Sequence, residues 1–345
     1  MSNVEELSDR KQKILAAVIE QYIATGEPVG SKTLLPLLPF SVSSATVRNE
    51  MAELSEMGYL EQPHTSAGRV PSQMGYRYYV DRLMNNYELS DREKRTIEMK
   101  LGTSVRSPEK VLETASSVLA DMTNCAAVST TPSDSEAVIR RVELVPIGAR
   151  LAMIVMLTSS GILKSTIVRT DYELTLDIVE AFYNIVNKLF IGNPASEMNL
   201  AFLQTLAVSL GDKALIMTPL LVALSELAST AGKSEMLLEG QSNLLNHSQI
   251  SSNVYELMEF LRKGEPLSNL FSAHKDEMNV LIGKENMYRE LENSSLIFSR
   301  YNIGGRDSGT LGIVGPTNID YARLIPGLKY LTSVVGKILT DAVEE

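Results

Sequence analysis

Tryptophan is absent from this chain, cysteine occurs once and histidine three times. A single cysteine, Cys125, leaves no disulfide framework. It lies in the apolar stretch 124–129 and reads as a buried strand position. His64, His247 and His274 are widely separated, and no zinc-ligand spacing or nucleophile elbow is present. No cofactor, metal site or enzymatic activity is therefore expected. No signal peptide and no apolar run of about 18 residues occurs, so a soluble, cytoplasmic chain without a membrane anchor is expected. Cations are scarce as well: 32 Lys and Arg stand against 42 Asp and Glu, a formal net charge of −10. Such a chain repels a polyanion unless the approaching faces are cleared of carboxylates.

Two windows near the N-terminus are cleared in this way. Residues 28–49 carry Lys32 and Arg48 with no Asp or Glu, and residues 62–80 carry Arg69 and Arg77, also with none. The intervening pattern is helical. Ser8 can cap a first helix whose apolar residues Ile14, Leu15, Val18, Ile19, Tyr22 and Ile23 recur at helical spacing. Gly26 suits a left-handed cap, and Pro28 cannot continue the helix. A short second helix opens at Ser31, is limited or distorted by Pro36 and stops at Pro39. Ser43 or Ser44 caps a third helix over residues 45–57, closed by Gly58. Its Val47, Met51 and Leu54 face inward. Ala45, Asn49 and Ala52 occupy the opposite side, flanked by Thr46 and Arg48. Asn and Arg can each make bidentate contacts with base edges, and small neighbours permit close approach. Residues 59–62 read as a strand, 63–69 as a turn and 70–71 as the returning strand.

Three helices followed by a hairpin with a basic tip is the order of a winged helix-turn-helix. The same surface occurs on three-helix units that never touch nucleic acid. Residues 1–100 hold 12 Lys and Arg against 14 Asp and Glu, a net of −2. One copy would neutralise few phosphates, so DNA binding requires a dimer. The stretch 26–33 resembles a phosphate-binding loop, but Ser31 stands where that loop needs glycine, and a helix precedes it. The glycines at 304, 305, 309, 312 and 315 read as loop and strand-end residues.

Beyond the first 84 residues the pattern changes. Residues 88–101 alternate in charge sign and read as a solvated helix or connector. A helix is expected over 108–122, strands over 125–130, 138–146, 151–158 and 162–170, and a helix over 174–190, with a turn at 159–161. Strands return at 278–282, 296–301 and 310–314, before an amphipathic helix over 320–343. Residues 191–275 are helical in pattern and interrupt a sheet whose strands lie on either side. A domain inserted into an α/β sensor-like domain is expected. Leu220, Leu221, Leu224, Leu237 and Leu238 exceed what a small helical pair can bury, which marks the insertion as the candidate dimer interface.

The segments YIATGEPVGSKTL (22–34), SSATVRNEMAELSEMGYLEQPHTSAGRVPS (43–72) and GYRYYVDRLM (75–84) resemble the heat-inducible transcription repressor HrcA family of bacteria. VLIGKEN (280–286) and GIVGPTNIDYARLIPGLKYLT (312–332) are similar to that family's C-terminal motifs. The resemblance is dense to residue 84 and sparse between about 190 and 275. Asn318-Ile319 is a departure, because the family usually carries Arg-Met there. The resemblance implies an α+β multidomain chain: a winged helix-turn-helix with connector over 1–104, a GAF-like domain in two pieces, 105–190 and 276–345, and an inserted, mainly helical dimerisation domain over 191–275. It implies repression of heat-shock genes by a homodimer on double-stranded DNA, at an inverted-repeat operator called the CIRCE element. It further implies that the GroEL chaperonin maintains the active fold. The alternative is a winged-helix regulator controlled by a small-molecule ligand of the GAF-like domain. Candidate DNA-contacting residues are Ser43, Ser44, Ala45, Thr46, Arg48 and Asn49 on the third helix and its cap. In the wing they are His64, Thr65, Ser66, Gly68 and Arg69; His64 either touches phosphate or orders the turn.

Overall fold

The computed structural model describes residues 7–344 apart from 65–66, 86, 103–107, 133–136, 160–161, 211–213, 232–233 and 251–252. Two compact units emerge. One comprises Met1–Ser129, Leu237–Tyr301 and Thr310–Gly336; the other comprises Thr130–Met236, Asn302–Gly309 and Lys337–Glu345.

In the first unit, α1 (Asp9–Thr25) starts where the Ser8 side chain accepts from the Lys11 N–H, and it ends at Gly26 with φ +71°. Pro36 limits the second helix as expected, whereas the stop expected at Pro39 comes earlier, after Leu37. α2 (Ser31–Leu34) gives way to a single 3₁₀ turn, Leu35–Leu37, because proline cannot supply the N–H a continuing helix needs. α3 (Ser44–Glu56) is capped by Ser43 and buries Val47, Met51 and Leu54. β1 (Leu60–Glu61) pairs antiparallel with β2 (Val70–Pro71). Ser72 then caps α4 (Gln73–Tyr78), which continues as a π-helical turn, Tyr79–Leu83. α5 (Asp91–Gly102), α6 (Pro108–Thr123) and β3 (Ala126–Thr130) follow.

The chain re-enters this unit through β7 (Met236–Glu239), α10 (Val254–Lys263), α11 (Glu265–Ala273), β8 (Met278–Ile282), β9 (Ser294–Ile303), β10 (Arg306–Pro316) and α12 (Tyr321–Glu344). The sheet runs β7-β3-β10-β9-β8. β3 and β10 pair antiparallel with Val128 opposite Gly312, so strands from before and after the interruption are neighbours. Cys125 is buried as expected but lies in the bend just before β3 rather than in a strand, and a Cβ on Gly315 would come within 2.4 Å of its Sγ. Burial pushes its thiol up to about 12.

In the second unit β4 (Ile139–Gly148), β5 (Leu151–Thr158) and β6 (Leu163–Arg169) form a separate three-stranded antiparallel sheet with α7 (Leu176–Leu189), α8 (Leu200–Leu210) and α9 (Ala214–Ala231). The division therefore differs from the expected one. β4–β6 do not extend the sheet on either side of an insertion at 191–275, because Ile154, Met156 and Val168 share a core with Phe182, Leu220 and Leu224. Leu220, Leu221 and Leu224 are consumed by that core and offer no interface, while Leu237 and Leu238 lie on β7 of the other sheet. The expected insertion is thus part helix and part strand. Residues 103–104, 107 and the 160–161 half of the expected turn lie outside the described residues. Among the described residues, no helix is long and apolar enough to cross a membrane.

Candidate nucleic-acid interface

Which side chains α3 presents follows from its cap. The Ser43 hydroxyl accepts from the Thr46 N–H at 3.1 Å and lies 2.8 Å from the Thr46 hydroxyl. Ser44 turns the other way, its hydroxyl 3.0 Å from that of Ser31 at the start of α2. Ala45, Arg48 and Asn49 are exposed, and Thr46 is half-buried. Among the described residues, Arg48 and Asn49 make no side-chain hydrogen bond or ion pair. Two donor-rich side chains are thus held on a rigid helix near its N-terminus, where the helix dipole favours an anion.

Carboxylates follow at once in sequence, yet they are compensated. Lys11 of α1 reaches Glu50 at 2.9 Å and Glu53 at 2.7 Å, and Arg10 stands 3.5 Å from Glu50. Hydrogen bonds to Glu53 and Glu50 raise the Lys11 ammonium above its usual value. This clears α3 of uncompensated negative charge next to Asn49. Sequence reading missed it because the partners are some 40 residues away, and no linear motif links them.

The wing departs from a basic tip. Arg69 sits at its base, where its backbone exchanges two hydrogen bonds with Val29, at 2.8 and 2.9 Å. Its side chain is half-buried, and Nε is buried without a hydrogen-bond partner. A Cβ on Gly68 would meet the Val29 carbonyl oxygen at 2.4 Å, so glycine is required there for packing whatever else it touches. His64 is exposed, and its carbonyl accepts from the Ala67 N–H at 2.9 Å, closing the turn. Thr65 and Ser66 lie outside the described residues.

Arg77, the second cation of the acid-free window 62–80, is not available to an external anion. Its Nε donates to Glu285 Oε1 at 3.0 Å, Nη2 donates to Glu285 Oε2 and the Val280 carbonyl, and Nη1 reaches Asp81 at 3.2 Å. The remaining histidines each meet a main-chain carbonyl: a His247 ring nitrogen lies 2.7 Å from that of Asn124 and one of His274 lies 2.9 Å from that of Leu270. No group of three or more potential metal ligands occurs among the described residues.

The family described as HrcA protein C terminal domain matches residues 109–325. A heat-inducible transcription repressor HrcA of Acetivibrio thermocellus is 34% identical over 333 residues, covering 95% of each chain. The Clostridium tetani protein of the same name is 34% identical over 342 residues, 98% of this chain and 97% of the other. A solved structure described only as a hypothetical protein is 25% identical, covers 98% of this chain and all of its own, and superposes with a TM-score of 0.72. With similarity over nearly its whole length, the chain belongs to the HrcA family of heat-inducible transcription repressors.

Proposed function

We propose that this chain is a transcription repressor of heat-shock genes that binds an inverted-repeat operator, the CIRCE element, as a homodimer. The observation that carries this reading is the exposed face of α3, where Arg48 and Asn49 have no side-chain partner among the described residues and the neighbouring Glu50 is held by Lys11. Ser43, Ser44 and Thr46 place and cap that helix. Ala45 leaves room for a base edge, and the phosphate contacts are assigned to the wing candidates His64, Thr65, Ser66, Gly68 and Arg69, of which Thr65 and Ser66 lie outside the described residues. The first 100 residues are net negative, so affinity must be summed over two copies.

The dimer contact is drawn over the outer face of β4–β6 in the unit Thr130–Met236. Met153 pairs with Val145 on one side and Ile167 on the other, and Leu157 pairs with Leu163. Leu163 and Ile167 are 60% and 64% exposed, although both belong to an ordered sheet whose opposite face forms the core. An exposed apolar strip of this kind, bordered here by the Arg141–Glu143 ion pair and Arg169, marks an association site. Strands β3 and β10, adjacent although far apart in sequence, support a sensor-like, GAF-like domain in two pieces. Such a split sheet depends on non-local contacts that form slowly, which fits dependence on the GroEL chaperonin.

Footprinting on the host's chaperonin promoter tests the reading, with active sites titrated by operator DNA before and after chaperonin treatment. Protection of an inverted repeat, with an active fraction that rises at constant dissociation constant, is the expected result. An unchanged active fraction with a tighter dissociation constant favours the ligand-controlled regulator instead. One observation speaks for that second reading: α5, α6 and the start of α12 enclose a cleft of about 810 Å³. Asn318 lines it, and its Oδ1 is buried without a hydrogen-bond partner among the described residues. A thermal-shift screen against metabolites tests it directly.

A further inference from the structure

Two motifs separated by about 200 residues meet at one point. Arg77 lies on α4, the helix that follows the wing, and Glu285 lies in the 3₁₀ turn Gly283–Asn286 after β8. The guanidinium grips the carboxylate with two nitrogens and spends a further bond on the Val280 carbonyl. The carboxylate is itself oriented, because Glu285 Oε2 accepts from the Ile282 N–H at 2.9 Å. Beside it, the Lys284 N–H donates to Gln73 Oε1 at 3.1 Å. The Tyr76 ring packs 5.9 Å from that of Tyr321, whose hydroxyl is 2.6 Å from the Ser295 hydroxyl on β9. A bidentate, half-buried ion pair is rigid in direction as well as in distance.

The wing end of α4 is equally fixed. The Ser72 hydroxyl donates to the Gly58 carbonyl at 2.6 Å, its N–H donates to the Tyr59 carbonyl at 3.1 Å, and the Tyr59 and Tyr78 rings meet edge-on at 5.2 Å. Gly58 directly follows the end of the recognition helix. A continuous path of short contacts therefore runs from α3 through α4 to β8 and β9.

Covalent linkage alone would leave far more freedom. Residues 85–90, which join Met84 to α5, can reach about 20 Å when extended. That is a large part of the ~34 Å that separates major-groove half-sites one turn apart. A winged helix held only by that link would accept several spacings.

We propose that Arg77 and Glu285, with Gln73, form a positioning joint that fixes the recognition helix relative to the five-stranded sheet and so sets the half-site spacing the dimer accepts. This rests on the dimeric operator-binding reading above. In that reading the copies associate outside the winged helix, so its hold on the five-stranded sheet is one of the constraints on where the two α3 helices can reach. Arg77 and Glu285 touch no base; they act through the placement of α3.

The test uses the full-length dimer with three DNA duplexes: one isolated half-site, the native inverted repeat, and the repeat with its spacer lengthened by about two base pairs. Wild type is expected to prefer the native spacing strongly. Glu285→Gln keeps an acceptor for the Ile282 N–H and loses the charged fork. Its native-to-lengthened preference is expected to fall by at least about fivefold, the lower end of ordinary coupling between linked sites. Half-site affinity is expected to stay at the wild-type value. Arg77→Lys, which keeps the charge without the fork, should lie between the two. Unchanged spacing preference in both folded variants overturns the joint. So does an equal loss on all three duplexes, which would make the pair a stability element or a direct DNA contact. If wild type binds neither the half-site nor the repeat, the DNA-binding reading fails and the joint fails with it; half-site binding without any spacing preference overturns the joint alone.

Discussion

The winged helix buries an apolar face and presents a polar one, whereas the sheet β4–β6 carries apolar residues on both faces, with Arg141, Glu143, Ser165 and Arg169 among those on the outer one. On α3, Val47, Met51 and Leu54 point inward, and Ala45, Arg48 and Asn49 point out. On β5 and β6 the inner residues Ile154, Met156 and Val168 enter the core of their unit. Their outward neighbours Val155, Leu157, Leu163 and Ile167 are apolar too. A polar outer face can meet DNA, water or nothing, and only its particular donors argue for DNA. An apolar outer face carries a standing solvation cost, so its argument for a partner is thermodynamic.

Several changes break or sharpen this contrast. The largest effect is expected from Phe182→Ala. This ring is fully buried among β5, β6 and α9, and its truncation should cost about 3–5 kcal/mol of unfolding free energy. Urea denaturation measures that loss, and the isolated half-site affinity, which depends on the other unit, should remain. Ile167→Asp leaves the core intact but places a charge on the outer sheet face. Sedimentation should then show monomers, with inverted-repeat affinity reduced to that of one half-site; an unaltered dimer would move the interface elsewhere.

Arg48→Ala and Asn49→Ala should each weaken operator binding by about 1–3 kcal/mol per lost bidentate contact without changing thermal stability. Arg69→Ala, by contrast, should weaken all sequences alike and flatten the salt dependence. Ser43→Ala removes the cap of α3. A loss of about 1 kcal/mol in stability is expected, readable as a lower urea midpoint.

The smallest effect concerns acid. The Ser90 hydroxyl and N–H, followed by Tyr87 and Arg323, hold the Glu93 carboxyl down at about 2. Its folded value lies below its unfolded one, so its contribution is present above the ordinary carboxylate range. That contribution is lost as pH falls toward 2. Glu93→Gln should therefore lower the melting temperature slightly at neutral pH and leave it unchanged at the acid end of a melting series.

Much of the N-terminal region was legible because its signals are local. Ser8, Gly26, Pro36 and Ser43 act on the backbone within a turn of themselves, and each ends or starts a helix where expected. The partition of the later strands was not legible. Residues 138–170 read as strands from alternation alone, and alternation does not say which strands will be neighbours. Arg77 shows the same limit: an acid-free window suggested an available cation, but its partner lies 208 positions away.

Composition and local pattern by themselves determined that this chain has capped helices, an exposed Arg48 and Asn49 on the third of them, and one buried thiol. Those properties depend on residues within a few positions of one another. Tertiary structure alone decided that Lys11 covers Glu50 and Glu53, that Glu285 holds Arg77, and that β4–β6 form their own sheet around Phe182. Each of these is a contact between segments distant in sequence. Its formation depends on the free energy of the whole packed unit, and no periodicity or spacing encodes that sum.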